Sequence, residues 1–287
     1  MRKVLVALAG SALLLGAACG SDSSTVAGSD GGTTSGTPAA DRCAPDSLNL
    51  VNPGTLTVGT DNPAFPPWVL KNDPASGEGY ESAVAYEIAD RLGFTADQVE
   101  WVSVPFNKSY APGPKDFDFD INQISVTPER EEVVSFSGSY YDVSQALIVN
   151  DGTPIASAAG VSELKEYRFG AQIGTTSLQF ITDVIQPTEQ PQVYDTTSDA
   201  LTALKNGQID GTVLDLPTAS YSAGKGQSVV GQFASTGEHF GLLFEKDNPL
   251  VTCVNQVLDD MRAGGVLDEL ETQWLADYLD VPTISST

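Results

Sequence analysis

Between residues 55 and 278 the chain alternates short β-branched runs with amphipathic stretches at helical spacing, and that alternation admits little besides an α/β fold with largely parallel strand pairing. Residues 55–60 read as a strand. Residues 82–92 place Val84, Ile88 and Leu92 on one helical face before Gly93 ends the run. Residues 99–104 are strand-like again. After Tyr140-Tyr141 the pattern restarts, with strands at 146–149 and 168–172 and a helix from Ser177 that turns Leu178, Ile181 and Ile185 inward. A helix capped by Ser198 then carries Leu201 and Leu204 and stops at Gly207, ahead of a strand at 211–214. A strand at 239–244 leads to two amphipathic helices, 249–262 and 266–278, split by Gly264-Gly265. The roughly 240 residues after Cys43 suffice for two lobes, and no internal repeat is visible.

The first residues carry a different message. Arg2 and Lys3 precede a mostly apolar run over residues 4–18 that ends at Cys19. A run of that length is too short for a bilayer core and fits a signal peptide, so export is expected. Residues 20–40 are almost all small or polar and cannot bury a core; as a flexible tether they span roughly 25 Å. Without residues 1–18 the chain keeps 12 basic residues against 38 acidic ones, a formal charge of −26 that repels phosphate backbones and excludes nucleic acid as a partner. Ordinary cleavage leaves an unpaired thiol among the three cysteines in an oxidising compartment, whereas modification of Cys19 leaves Cys43 and Cys253 as a pair.

The densest chemical signal is Ile124-Ser-Val-Thr-Pro-Glu-Arg130, at the end of a strand-like alternation. Thr127 supplies an N-cap hydroxyl and Pro128 the preset first turn, so Arg130 falls in the first turn of a short helix. A cation is unusual there, because a helix N-terminus is already positive. Unpaired N–H groups, a hydroxyl and a guanidinium facing one spot form a receptor for a carboxylate.

This segment resembles the Thr-x-x-Arg helix start of the family 3 extracellular solute-binding proteins, the polar amino-acid receptors of ABC importers, and the likeness runs from about residue 55 to 278. It implies a two-lobed periplasmic-binding-protein-like (type II) α/β fold with the ligand cleft between the lobes. The implied division is a signal peptide at 1–18, a lipidated N-terminus and tether at 19–42, lobe one at 43–139 plus 241–287, and lobe two at 140–240. Chain crossings fall near 140–144 and 238–241. With the C-terminal helices on lobe one, Cys43 and Cys253 share a lobe, and a bridge between them is worth about 4 kcal/mol or less in the chain-entropy model.

The resemblance also assigns residues. Arg130 holds the ligand's α-carboxylate, and Asp215, in Val213-Leu-Asp-Leu-Pro217, holds its α-ammonium from the other lobe. Thr175 and Thr176, in Gln172-Ile-Gly-Thr-Thr-Ser177, complete the carboxylate cage, while Gln172 reaches the ligand side chain. From Gly59-Thr-Asp-Asn-Pro-Ala-Phe-Pro-Pro-Trp68, Asp61 faces the ligand's side chain or ammonium and Phe65 forms one wall with Trp68 behind it, while Phe106 presses from the other side; Gln123 and Ser125, just before the Arg130 helix, count with the ligand-binding residues. Leu15-Gly-Ala-Ala-Cys19 resembles a lipobox, with Gly16 where a Leu or Val is usual. A lipidated Cys19 implies anchorage in the bilayer at the outer face of the cytoplasmic membrane, and the family implies a monomer that meets an ABC permease. Three segments depart from the family: Ser109-Tyr-Ala-Pro-Gly-Pro-Lys115 breaks a usual helix, Gln123 replaces a common glycine, and Gly79-Tyr-Glu-Ser82 lacks the usual Asp.

Lys108 suits an acidic ligand side chain and Asp61 a neutral or basic one, so the ligand's side chain stays open. No cofactor or metal is expected, since the one histidine, His239, and the cysteine positions form no metal or nucleophile cluster. Two alternatives share the fold: an arogenate or prephenate dehydratase, and a lipoprotein that senses a ligand for another membrane protein.

Overall fold

The computed structural model describes residues 42–286; the expected signal peptide, Cys19 and most of the tether lie outside these residues. Two sheets organise the described chain. The first has the order β2-β1-β3-β10-β4, built from β1 (Leu56–Thr60), β2 (Val99–Ser103), β3 (Phe119–Asp120), β4 (Ser135–Asp142) and β10 (His239–Phe244). Its β1 pairs in parallel with β2 and β3, and β10 runs antiparallel to β3 and β4. Helix α1 (Tyr80–Arg91) and the C-terminal helices α7 (Leu250–Ala263) and α8 (Val266–Trp274) cover this sheet, with Val84, Ile88, Val254 and Leu258 in one core with Leu56 and Val58. Gly79 begins α1 at φ 107°, and a Cβ there would collide with the Trp68 carbonyl, so only glycine fits.

The second half differs from the expected parallel pairing. Its three-stranded sheet, β8-β5-β9, is antiparallel throughout, formed by β5 (Gln145–Asn150), β8 (Gly211–Asp215) and β9 (Gln227–Gln232). The cause is connectivity: β5 carries the chain away from the crossing, and β8 and β9 bring it back. The register therefore sets Gln145, the first residue of β5, opposite Asp215, the last of β8. A small parallel pair, β6 (Gly170–Gln172) with β7 (Gln192–Tyr194), flanks this sheet. The helix expected under a Ser198 cap starts earlier, as α5 (Thr197–Lys205), because Thr196 is the extended residue whose hydroxyl accepts from Asp199 N–H at 3.1 Å.

The expected division needs two corrections. β4 stays in the first sheet to Asp142 and β10 re-enters it at His239, so the crossings lie at 143–144 and at Glu238. The last residues do not stay with the first half. Gln232 N–H donates to Pro282 O and Ile284 N–H to Gln232 O, both at 2.8 Å, and Ile284 is buried among Leu147, Phe169 and Val213 of the second half. Leu279 packs against the cores of both halves, so the tail is a third covalent connection between them. Period-based reading misses it because a single buried Ile after a helix carries no repeat.

Cys43 and Cys253 are bonded, with 5.5 Å between their Cα atoms, and tie the start of the described chain to α7 across 210 residues of sequence. Replacing both by serine is expected to lower stability by up to about 4 kcal/mol through the unfolded state, read as a fall in denaturant midpoint with little change in slope. An unchanged midpoint would show that the bridge constrains nothing.

Candidate functional site

The loops at the ends of both sheets face one another across a narrow cleft lined by residues of both halves. The first half contributes Asp61, Phe65, Phe106, Asn122 and Gln123 to its wall. The second contributes Ala171, Gln172, Thr175, Thr176, Ser177, Thr197, Leu214, Asp215 and Thr218. Eight of the eleven residues expected at the site are thus brought together.

Each wall residue is held by local chemistry. Asp61, at the end of β1, accepts from Asn62 N–H at 2.7 Å through one oxygen and from Phe106 N–H at 3.3 Å through the other, which ties the two aromatic loops together. Gln172 accepts from Thr197 N–H (2.9 Å) and Thr197 Oγ1–H (2.8 Å), so its amide NH₂ is what it can offer a ligand. The Thr175 hydroxyl caps α4 (Thr176–Phe180): it accepts from Leu178 N–H at 3.1 Å and donates to Gln172 O at 2.8 Å. Gln123 sits at φ 47°, the left-handed region where glycine is the easy residue. Its backbone N–H donates to Glu81 Oε1 at 2.7 Å and its side-chain amide donates to Glu81 Oε2, so a buried carboxylate holds the strained residue in place.

Three expected residues are absent from this wall. Trp68 is fully buried against Tyr80, Tyr141 and Phe240, edge to face, and its indole N–H donates across to Thr218 Oγ1 in the second half at 2.7 Å. It is a core strut because its loop turns the ring under α1 instead of into the cleft. Ser125 is buried as well; its hydroxyl donates to Glu238 Oε1 at 2.6 Å and lies 3.3 Å from Thr176 Oγ1. Arg130, in α3 (Pro128–Glu131) under the Thr127 cap, lines an adjoining cavity that shares Thr175 and Thr176 with the first. Its guanidinium donates to Ser125 O at 2.6 Å and across to Gly174 O at 2.9 Å, and lies 4.7 Å from the Tyr110 ring centre and 5.6 Å from that of Phe106. Burial lowers the Arg130 pKa, against the opposing pull of Tyr110, Glu238 and Asp215.

The electrostatics are dominated by carboxylates. Asp215 has its Oδ1 on Gln145 Nε2 (2.8 Å), and burial, with Glu238 next, raises its pKa well above the usual range. Burial pushes Glu81 and Asp120 each up to about 7. Lys108 is exposed and outside the cavity wall, so the two ionisable groups on that wall are the acids Asp61 and Asp215. Sequence reading missed Asn122, Ser177, Thr218, Gln145 and Glu238. The last two flank the expected crossings, and that position was the signal available.

These features define a two-lobed binding protein with a polar, acid-rich cleft. A family model for bacterial extracellular solute-binding proteins, family 3, matches residues 56–277, and the chain belongs to that family. The ABC transporter glutamine-binding protein GlnH of Bacillus subtilis (strain 168) is 28% identical over 276 residues, covering 93% of this chain and 94% of GlnH. Among solved structures, an ancestral arginine-binding protein bound to glutamine superposes with a TM-score of 0.66 at 30% identity, covering 77% of this chain and 97% of the other. An ancestral amino-acid-binding protein described as a precursor of cyclohexadienyl dehydratase reaches 0.65 at 28% identity, covering 77% and 95%.

The buried acids give a pH prediction. Asp120 is fully buried, with Oδ2 on Ser109 Oγ (2.5 Å) and Oδ1 without a hydrogen-bond partner, and its pKa rises from 3.8 to about 7. Between those values the folded chain keeps a proton that the unfolded chain has released, so this group's contribution is full at low pH and declines as pH rises through the window, by at most about 1.4 kcal/mol per unit. Asp120→Asn is expected to remove that share of the decline. Identical slopes for both proteins in pH-dependent chemical denaturation would contradict it.

Proposed function

We propose that this chain captures a free α-amino acid between its lobes, with the ligand's ammonium at Asp215 and its carboxylate at Arg130, and delivers it to an ABC permease. The observation that carries this reading is the placement of a guanidinium on the first half and an acid on the second, on either side of the Thr175-Thr176 turn shared by the two cavities. A zwitterion carries both charges a few ångströms apart, so only contact with both halves satisfies it, and binding then stabilises the approximation of the lobes. Two of the five guanidinium N–H donors are engaged on backbone carbonyls and Tyr110 engages the same group, which leaves donors over for a carboxylate. Phe65 and Phe106 supply apolar walls, and the acids at Asp61 and Asp215 favour a neutral or cationic side chain over an acidic one.

Relatives named as binding proteins support binding without transformation, in keeping with a wall of hydroxyls, amides and acids. A thermal-shift panel of the twenty amino acids, small amines and sugars tests the class, because a ligand at one hundred times its Kd adds about 2.7 kcal/mol. At least one amino acid is expected to stabilise the chain, and a response to sugars or amines alone contradicts the proposal. In the same protein Arg130→Ala is expected to weaken that amino acid by about 100-fold in calorimetry, the value of a lost charge-assisted contact in a dry site. Near wild-type affinity would remove Arg130 from the carboxylate site. Incubation with arogenate or prephenate, with no aromatic product expected, separates binding from the dehydratase alternative.

The charge and composition of the N-terminus support export followed by acylation of Cys19 and attachment to the outer face of the cytoplasmic membrane. Cys19→Ser is expected to move the protein from the membrane fraction to the soluble exported fraction. Retention of the variant in the membrane fraction would rule out anchorage through this residue.

A further inference from the structure

The crossing region holds a group that the ligand reading leaves unused. Glu238 stands on the segment where the chain returns to the first half, outside the cavity wall. Its Oε1 accepts from Ser125 Oγ–H of the first half at 2.6 Å. Its Oε2 accepts from Gln145 Nε2–H of the second half at 2.9 Å. The same Gln145 nitrogen donates to Asp215 Oδ1 at 2.8 Å, and Ser177 Oγ–H fixes the amide by donating to Gln145 Oε1 at 2.7 Å. Two carboxylates thus converge on one amide nitrogen, in a site where like charges cannot both ionise at ordinary cost.

We propose that Asp215 and Glu238, bridged by the Gln145 amide, form one electrostatic unit in which Asp215 holds a proton in the ligand-free chain, Glu238 is a positioning residue, and the ligand's ammonium displaces that proton. The proposal rests on the amino-acid reading of the cleft. The charge balance at the pair supports it. Asp215 accepts from Gln145 on β5, and it lies within electrostatic reach of Glu238 on the crossing, Glu81 on α1, Tyr141 on β4 and Arg130 on α3, of which Arg130 is the one cation. The groups beside Glu238 are Ser125, Gln145, Asp215 and Arg130; His239, next in sequence, sets its ring Nδ1 3.2 Å from Gly237 O. One guanidinium, partly committed to backbone carbonyls, does not neutralise two acids in this setting, so a proton completes the balance. When an ammonium arrives it brings the missing charge. The carboxyl O–H bond then breaks with its electron pair left on oxygen, the proton passes to buffer, and the ammonium donates to the carboxylate that remains.

Glu238 therefore sets the strength of the ammonium site without touching the ligand. The experiment is calorimetry on the whole chain with the L-amino acid, of the twenty, that most raises its melting temperature, repeated in two buffers of different ionisation heat and from about pH 6 to 8. Wild-type protein is expected to release close to one proton per ligand and to gain up to tenfold in affinity per pH unit. Glu238→Gln keeps the size and an acceptor for Gln145 while burial still acts on Asp215, and is expected to release a smaller fraction of a proton and to bind with a shallower pH profile. The deaminated counterpart of the same amino acid is expected to release no proton from either protein. Binding by wild type without proton release overturns the inference, and so does release of equal size in Glu238→Gln. Failure of all twenty amino acids to bind overturns the amino-acid reading itself, an outcome distinct from binding without release. The wild-type proton count needs no variant, so absent release overturns the inference even where Glu238→Gln folds poorly.

Discussion

Gln145 donates one side-chain nitrogen to two carboxylates and accepts a hydroxyl, and each group that meets it comes from a different part of the chain. Asp215 ends β8, Glu238 starts the return to the first half and Ser177 opens α4. This convergence follows from the antiparallel register of β5 with β8, which sets Gln145 opposite Asp215. A parallel second sheet would carry the β8 end away from the crossing. The site's acid then would not sit beside the hinge, and ligand charge would have no lever on the relation between the halves.

Around that point the two halves touch through the buried bond of Trp68 to Thr218 and the partly buried contacts of Arg130 with Gly174 and Ser125 with Thr176. Buried polar contacts are costly when unmade, so the joined arrangement depends on each partner being supplied by the opposite half. The C-terminal tail adds a covalent limit, since it leaves α8 on the first half and ends in hydrogen bonds to β9 of the second. Movement of the halves must flex three chain segments rather than the two that cross near residues 143 and 238.

Much of this was readable in the sequence where the signal is local. The Thr127 cap, Pro128 and Arg130 specify a short helix start from adjacent residues, and β8 with Asp215 at its end is marked by an apolar run and Pro217. What was not readable depends on long-range packing. Trp68 lies beside Phe65 in sequence, yet its ring goes to the core because Gly79 lets α1 approach its carbonyl. Arg130 was expected in the ligand cavity and instead lies in the adjoining one, stacked by Tyr110, a residue of the segment where the family's helix is broken. Gln145 and Glu238 are ordinary polar residues in one dimension and acquire meaning only when two crossings lie side by side.

The central claim is that one zwitterion is held by opposite charges from opposite lobes. A crystal structure of the chain with its bound amino acid tests this most directly. The account predicts the ligand ammonium within hydrogen-bond distance of Asp215 and its carboxylate within hydrogen-bond distance of the Arg130 guanidinium. A ligand whose ammonium and carboxylate are both held by a single lobe would contradict it.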